Sequence, residues 1–283
     1  MLDNRKSLNL KHTLNKFYRE YDFNEKLRND PLEFPHRYSR PEDIEVAGFI
    51  ASCFAYGKIN LFKPVIEKIL KPGGRHPARF FAGFNVKRDK KYLKDISYRF
   101  NKEKDILCLA YMTGQALKTW GSLKALFYNY YGPEQEDTCK ALRGFMDFFL
   151  GIDTSAVYGK NIRPSGLKQL FPHPVKGSAC KRMNLFLRWM VRTRDIDLGI
   201  WDKVPASKLI IPLDTHIAKI SKCLGLTKRA SSDWKTAREI TLSLKRLDPG
   251  DPLKYDFALC HHGMSGLCKG RKSATCATCA LAG

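Results

Sequence analysis

The sequence predicts an all-α protein, and three observations carry that reading. Apolar residues recur at intervals of three and four along most of the 283-residue chain. No stretch alternates apolar and polar residues with a period of two, and Gly and Pro fall between the periodic segments. With no internal repeat or low-complexity tract, the helices belong to one large or two small packed domains.

The first periodic segment carries Leu10, Leu14, Phe17, Tyr18 and Tyr21. A second follows Pro41-Glu42-Asp43 with Ile44, Ala47, Ala51, Phe54 and Ala55, and its Gly48, Ala51 and Ala55 keep one face small enough for close helix packing. Three more are marked by Ile106, Leu109, Ala110, Thr113 and Leu117, by Leu123, Leu126, Phe127 and Tyr130, and by Leu142, Phe145, Met146 and Phe149. Gly121, Gly132-Pro133 and Gly151 separate them.

Two helix starts then lie close together. Gly177 and Ser178 end the loop Phe171-Pro172-His173-Pro174 and open a run with Leu185, Phe186, Trp189 and Met190, which puts Lys181 in its first turn. Pro212 ends a short apolar segment, and Asp214 stands before Ile217, Ile220 and Leu224 as a helix N-cap. Asp233 caps a helix through Ala237, Ile240, Leu244 and Leu247. Asp251-Pro252 predicts a last helix, with Asp as cap and Pro at the first helical position, running through Leu253, Phe257 and Cys260 to Gly263.

Charge narrows the function. A formal charge of +22 and a pI near 9.7 favour a polyanionic partner, DNA or RNA. From residue 154 to residue 194 there are nine Lys or Arg and no acid, and a helix N-terminus in such a field attracts phosphate. Residues 86–104 carry eight Lys or Arg against three acids, with Tyr92, Tyr98 and Phe100 interleaved. They read as a phosphate-contacting surface with stacking groups or as a solvated face. The start, MLDNRKSLNLKHTL, lacks an apolar signal-peptide core, and no run approaches the roughly 18 apolar residues of a membrane span. The expectation is a cytoplasmic monomer, not bound to membrane, whose nine cysteines are thiols or metal ligands.

The run GSACKRMNLFL, beginning at Gly177, resembles the hairpin and following helix of the helix-hairpin-helix DNA glycosylase superfamily, endonuclease III among them, where G-x-G-x-K carries the catalytic lysine. PLDTHIAKISKCLGL, beginning at Pro212, resembles that superfamily's V-D-T-H helix start, whose aspartate is catalytic. The resemblance implies Lys181 and Asp214 as the catalytic pair. It also implies DNA contacts from Lys176, Gly177, Ser178, Ala179 (in place of the second hairpin glycine), Arg182 and His216. The 33 positions between Lys181 and Asp214 are nearer to the archaeal 8-oxoguanine glycosylases of the superfamily. As a whole the chain also resembles a group of bacterial proteins without an assigned function that share CKR-N-FLRWMVR and IIPLD-H.

The implied fold has two helical lobes: residues 61–204, ending in the helix-hairpin-helix, and residues 1–60 with 205–283. The implied activity is excision of a damaged base, 8-oxoguanine foremost, from double-stranded DNA, with cleavage at the abasic site through a lysine Schiff base. Chemistry gives each residue a task. A carboxylate such as Asp214 stabilises the cation-like sugar, and a neutral amine at Lys181 displaces the base. Arg182 and its basic neighbours favour the neutral amine. A flipped base needs a pocket with aromatic walls and a wedge to fill the gap; Trp120, Phe186, Trp189 and Trp201 are candidates to stack or members of the core.

The tail places Cys268, Cys276 and Cys279 in an array resembling the C-terminal cysteines of endonuclease III, which ligate a [4Fe-4S] cluster. Cys260 precedes Cys268 by the gap that separates Cys268 from Cys276, making it a fourth ligand or a packed core thiol. His261 and His262 are alternatives, and zinc or no metal stands beside the cluster. Two rival functions remain: a non-catalytic DNA-binding protein that retains the fold, and an RNA-binding or RNA-processing protein.

Overall fold

The computed structural model describes residues 4–266, 268 and 279–281, and among these it is all-helical. The only extended pairings among them are two isolated bridges, Tyr98 with Asn101 and Ser178 with Asp233. No helix among the described residues is long and apolar enough to cross a membrane.

The chain begins with α1 (Asn4–Arg19) and α2 (Phe23–Leu27), followed by α3 (Pro41–Phe54), which starts on Pro at a position where its missing N–H costs nothing. Next come α4 (Ile59–Leu70), α5 (Pro77–Ala82) and α6 (Val86–Asp89). The three helices marked in the sequence are α7 (Glu103–Trp120), α8 (Leu123–Tyr128) and α9 (Cys139–Gly151). Short α10 (Ser155–Tyr158) and α11 (Ser165–Leu170) lead to α12 (Lys181–Val191). The last three are α13 (Thr215–Cys223), α14 (Trp234–Lys245) and α15 (Asp256–Met264).

Helix α3 is the centre of the molecule. Every residue from Asp43 to Phe54 is buried, so it is covered on all sides rather than along one stripe. Its Phe49 meets the rings of Phe145 and Phe149 on α9 and Phe186 on α12. At Gly48 an added Cβ would stand 3.0 Å from the Met190 methyl, so the small face sets how closely α12 approaches. Polar groups sit in this core as well, Asp43, Glu45 and Ser52 on α3 itself among them. Glu45 accepts the Lys124 backbone N–H at 3.0 Å and the Trp201 indole N–H at 3.2 Å, and burial pushes its carboxyl up to about 7.

By these contacts α3 packs against both α9 and α12. Near the two chain ends, Asn15 on α1 accepts from Lys254 Nζ and from the Tyr255 hydroxyl, at 2.9 and 2.8 Å.

Two helix starts differ from the sequence reading. Asp251-Pro252 does not open a helix; α15 starts at Asp256, because the Asp251 carboxylate is bound by the Arg192 guanidinium instead of capping. Helix α4 runs through Pro64, a residue that removes an intrahelical donor and signals a break in the sequence.

Candidate active site

Lys181 opens α12. The residue before it, Cys180, adopts a left-handed conformation at φ 48°, turning the chain sharply out of the Lys176–Ala179 loop into the helix. The Lys181 ammonium donates to the Ala55 carbonyl, just past the end of α3, at 3.1 Å. Asp214 is the N-cap of α13: its Oδ1 accepts the Ile217 N–H at 2.8 Å. Its other oxygen, Oδ2, lies 3.7 Å from Lys181 Nζ, an ion pair too long to be a hydrogen bond. Capping therefore uses one oxygen and leaves the second for the site.

The pair lines a cavity of about 480 Å³, the size range of small-ligand pockets. His216 lines it too, half-buried, with Gly263 so close that a Cβ there would stand 2.7 Å from the His216 Cβ. The aromatic walls are Tyr56, Phe62 and Phe257. Trp189, Trp201 and Phe186 are core residues, each at most 1% exposed, and Trp120 packs on Phe148.

Arg188 and Asp256 also line the cavity and form a buried ion pair at 2.5 Å. Burial raises the Asp256 carboxyl, against the pull of Arg188. Arg188 further pairs with Asp197, and Arg192 with Asp195, Asp197 and Asp251. The basic stretch is thus partly neutralised from within, by acids beyond its end.

Arg182, which the resemblance places among the DNA contacts, is buried. Its side chain is 8% exposed, donates to the Cys53 carbonyl at 2.7 Å and to the Gln169 carbonyl, and lies over the Tyr56 ring. In this position it ties α12 to α3 and α11. Burial lowers its pKa from the ordinary guanidinium value. Lys176 and Gly177 are exposed, Ser178 is half-buried and Ala179 is buried. These four lie outside the cavity wall, on the loop before α12, where Gly177 at φ 78° accepts from the Trp234 N–H.

The cysteines divide. The Cys260 thiol points at Asp214, with Sγ 3.5 Å from Oδ2, and burial with the Asp214 charge pushes it well above its ordinary value while Lys181 pulls the other way. This orientation turns the Cys260 thiol toward the Lys181–Asp214 cavity. Two positions on, His262 faces Cys279, its Nε2 3.7 Å from the sulfur. The Cys268 carbonyl accepts from Lys219 at 2.6 Å. Cys276 lies outside the described residues, and among the described residues no group of three or more His, Cys, Asp or Glu is placed to hold a metal.

Tyr56, Arg188, Asp256 and Phe257 had not been singled out as site residues. One signal existed for Asp256, which precedes Cys260 by one helical turn and so shares its face.

A family model described as a protein of unknown function, DUF2400, matches residues 30–265. No curated protein and no solved structure matches the chain.

Proposed function

The chain belongs to the DUF2400 family, and we propose that it is a DNA glycosylase of the two-lobed helix-hairpin-helix type, with lyase activity at abasic sites. The observation that carries this reading is the pair itself: an amine and a carboxylate 3.7 Å apart, on consecutive helix starts, in the wall of one cavity. The net charge of +22 supports a nucleic-acid partner.

The chemistry assigns each group a place. As the C1′–N bond of the damaged nucleotide weakens, the sugar becomes cation-like, and the Asp214 Oδ2 carboxylate faces the positive charge. Asp214 is also placed to take a proton from Lys181 and pass it to the departing base, which leaves Asp214 ionised again as the charge develops on the sugar. The neutral Nζ forms a bond to C1′ as the base departs with the glycosidic electron pair. Opening of the sugar C1′–O4′ bond gives the Schiff base, and loss of a C2′ proton expels the 3′ phosphate. Arg188, Asp256, Tyr56 and Phe257 shape the space for the extruded base. An oxidised purine, 8-oxoguanine first, is the substrate class we propose, from the lysine-to-aspartate spacing.

The test is base release and strand cleavage on duplexes carrying 8-oxoguanine, an oxidised pyrimidine or an abasic site. Release that needs Asp214 and cleavage that needs Lys181 support the reading. Salt-sensitive duplex binding without either product makes the protein a non-catalytic binder.

A further inference from the structure

Residues Tyr98–Asn101 form a tight turn that the catalytic reading does not use. Two backbone bonds close it, Tyr98 N–H to the Asn101 carbonyl at 2.9 Å and Asn101 N–H to the Tyr98 carbonyl at 2.8 Å. At its tip Phe100 is 62% exposed, and Arg99 adopts φ 51°. A left-handed conformation disfavours any residue with a Cβ, and glycine would hold it without strain. The turn instead keeps an arginine there and an aromatic ring in water.

The base of the turn is fixed. Tyr98 is buried and its hydroxyl donates to the Tyr56 carbonyl at 2.5 Å; the Tyr56 hydroxyl donates to Asn101 Oδ1 at 2.6 Å. Asn101 Nδ2 donates to the Gly166 carbonyl at 2.7 Å. The base of the turn is therefore held by hydrogen bonds, and its Tyr98–Arg99 side borders residues that line the cavity. Tyr56 and Gly57 line the Lys181–Asp214 cavity, and an added Cβ at Gly57 would stand 2.5 Å from the Tyr98 hydroxyl and 2.8 Å from an Arg99 nitrogen. Around it the exposed Lys58, Lys94, Arg99, Lys102 and Lys104 outnumber the acids Asp95 and Glu103.

We propose that the Arg99–Phe100 tip is a wedge for duplex DNA. Phe100 enters the step vacated by a base drawn into the neighbouring cavity, and Arg99 holds a backbone phosphate beside it. Each part answers one observation. An exposed ring on a stiff turn replaces lost stacking, a cation at the tip meets the phosphates flanking the gap, and the cavity one residue away receives the base. The proposal rests in part on the glycosylase reading, since it takes that cavity as the base's destination.

The experiment uses the full chain and duplexes carrying an uncleavable tetrahydrofuran abasic analogue with 2-aminopurine beside it, whose fluorescence reports unstacking. Phe100→Ala is expected to weaken binding to this duplex by about tenfold and to abolish the fluorescence rise, while binding to an undamaged duplex changes less than about twofold. Phe100→Trp restores both. Arg99→Gly is expected to melt no lower than wild type yet bind more weakly, separating a functional from a structural role for that residue. Unchanged affinity and fluorescence in Phe100→Ala overturn the wedge, and so does a wild-type protein that binds no duplex. The two readings fail separately. Phe100-dependent unstacking without base release on any lesion leaves the wedge and removes the glycosylase; base release that Phe100→Ala leaves intact does the reverse.

Discussion

Asp214 and Lys181 are joined across two helix starts by a carboxylate whose oxygens have different tasks: Oδ1 fixes the first turn of α13 and Oδ2 faces the lysine ammonium at 3.7 Å. Structure and chemistry can therefore be separated by substitution. Asparagine still caps a helix, so Asp214→Asn is expected to melt close to wild type while base release falls by about 10²–10³-fold. Asp214→Ala loses both functions, at a cost of about 1 kcal/mol in stability. Thermal melts beside single-turnover base release check this; an Asn variant that keeps its rate contradicts the assignment.

The direction of the Cys260 thiol gives a second prediction. Because Sγ lies against Asp214, whatever metal the purified protein carries is expected to be unchanged in Cys260→Ala, as measured by elemental analysis. Metal lost in that variant would return Cys260 to the ligand set.

Arg192 is 3% exposed and bound by Asp195, Asp197 and Asp251. Removing the arginine strands buried carboxylates, so Arg192→Met is expected to cost about 3–5 kcal/mol in urea unfolding. A cost below about 1 kcal/mol would show that the network does not hold the 248–256 segment to α12.

Glu45 links stability to pH. Its carboxyl titrates at about 7 in the folded chain and near ~4.3 when unfolded. Between these values the unfolded chain has lost the proton while the folded chain keeps it. Stability contributed by this group is present below about pH 4 and is lost as pH rises through 7, by on the order of 3–4 kcal/mol. Glu45→Gln removes that slope, although it leaves one of two backbone or indole N–H groups poorly paired. Urea titrations from pH 5 to 8 on both proteins check the difference; parallel slopes would contradict it.

Local features were legible in the sequence. Asp214 as a cap and Lys181 in a first turn follow from neighbours within four residues, and the long amphipathic helices follow from spacing alone. Features set by distant partners were not. Arg188 and Arg192 belong to an uninterrupted basic stretch, and their burial is decided by Asp256 and Asp251, 68 and 59 positions away. The same distant pairing withdrew Asp251 from the cap that Asp251-Pro252 suggested. Spacing grouped Cys260 with the tail cysteines, whereas helical phase turned its thiol to the cavity.

The most direct measurement of the central claim is borohydride trapping on a duplex carrying an abasic site, followed by peptide mapping. A covalent adduct located at Lys181, and absent from Lys181→Gln, is the result this account predicts. An adduct on another lysine, or one that persists in Lys181→Gln, would contradict it.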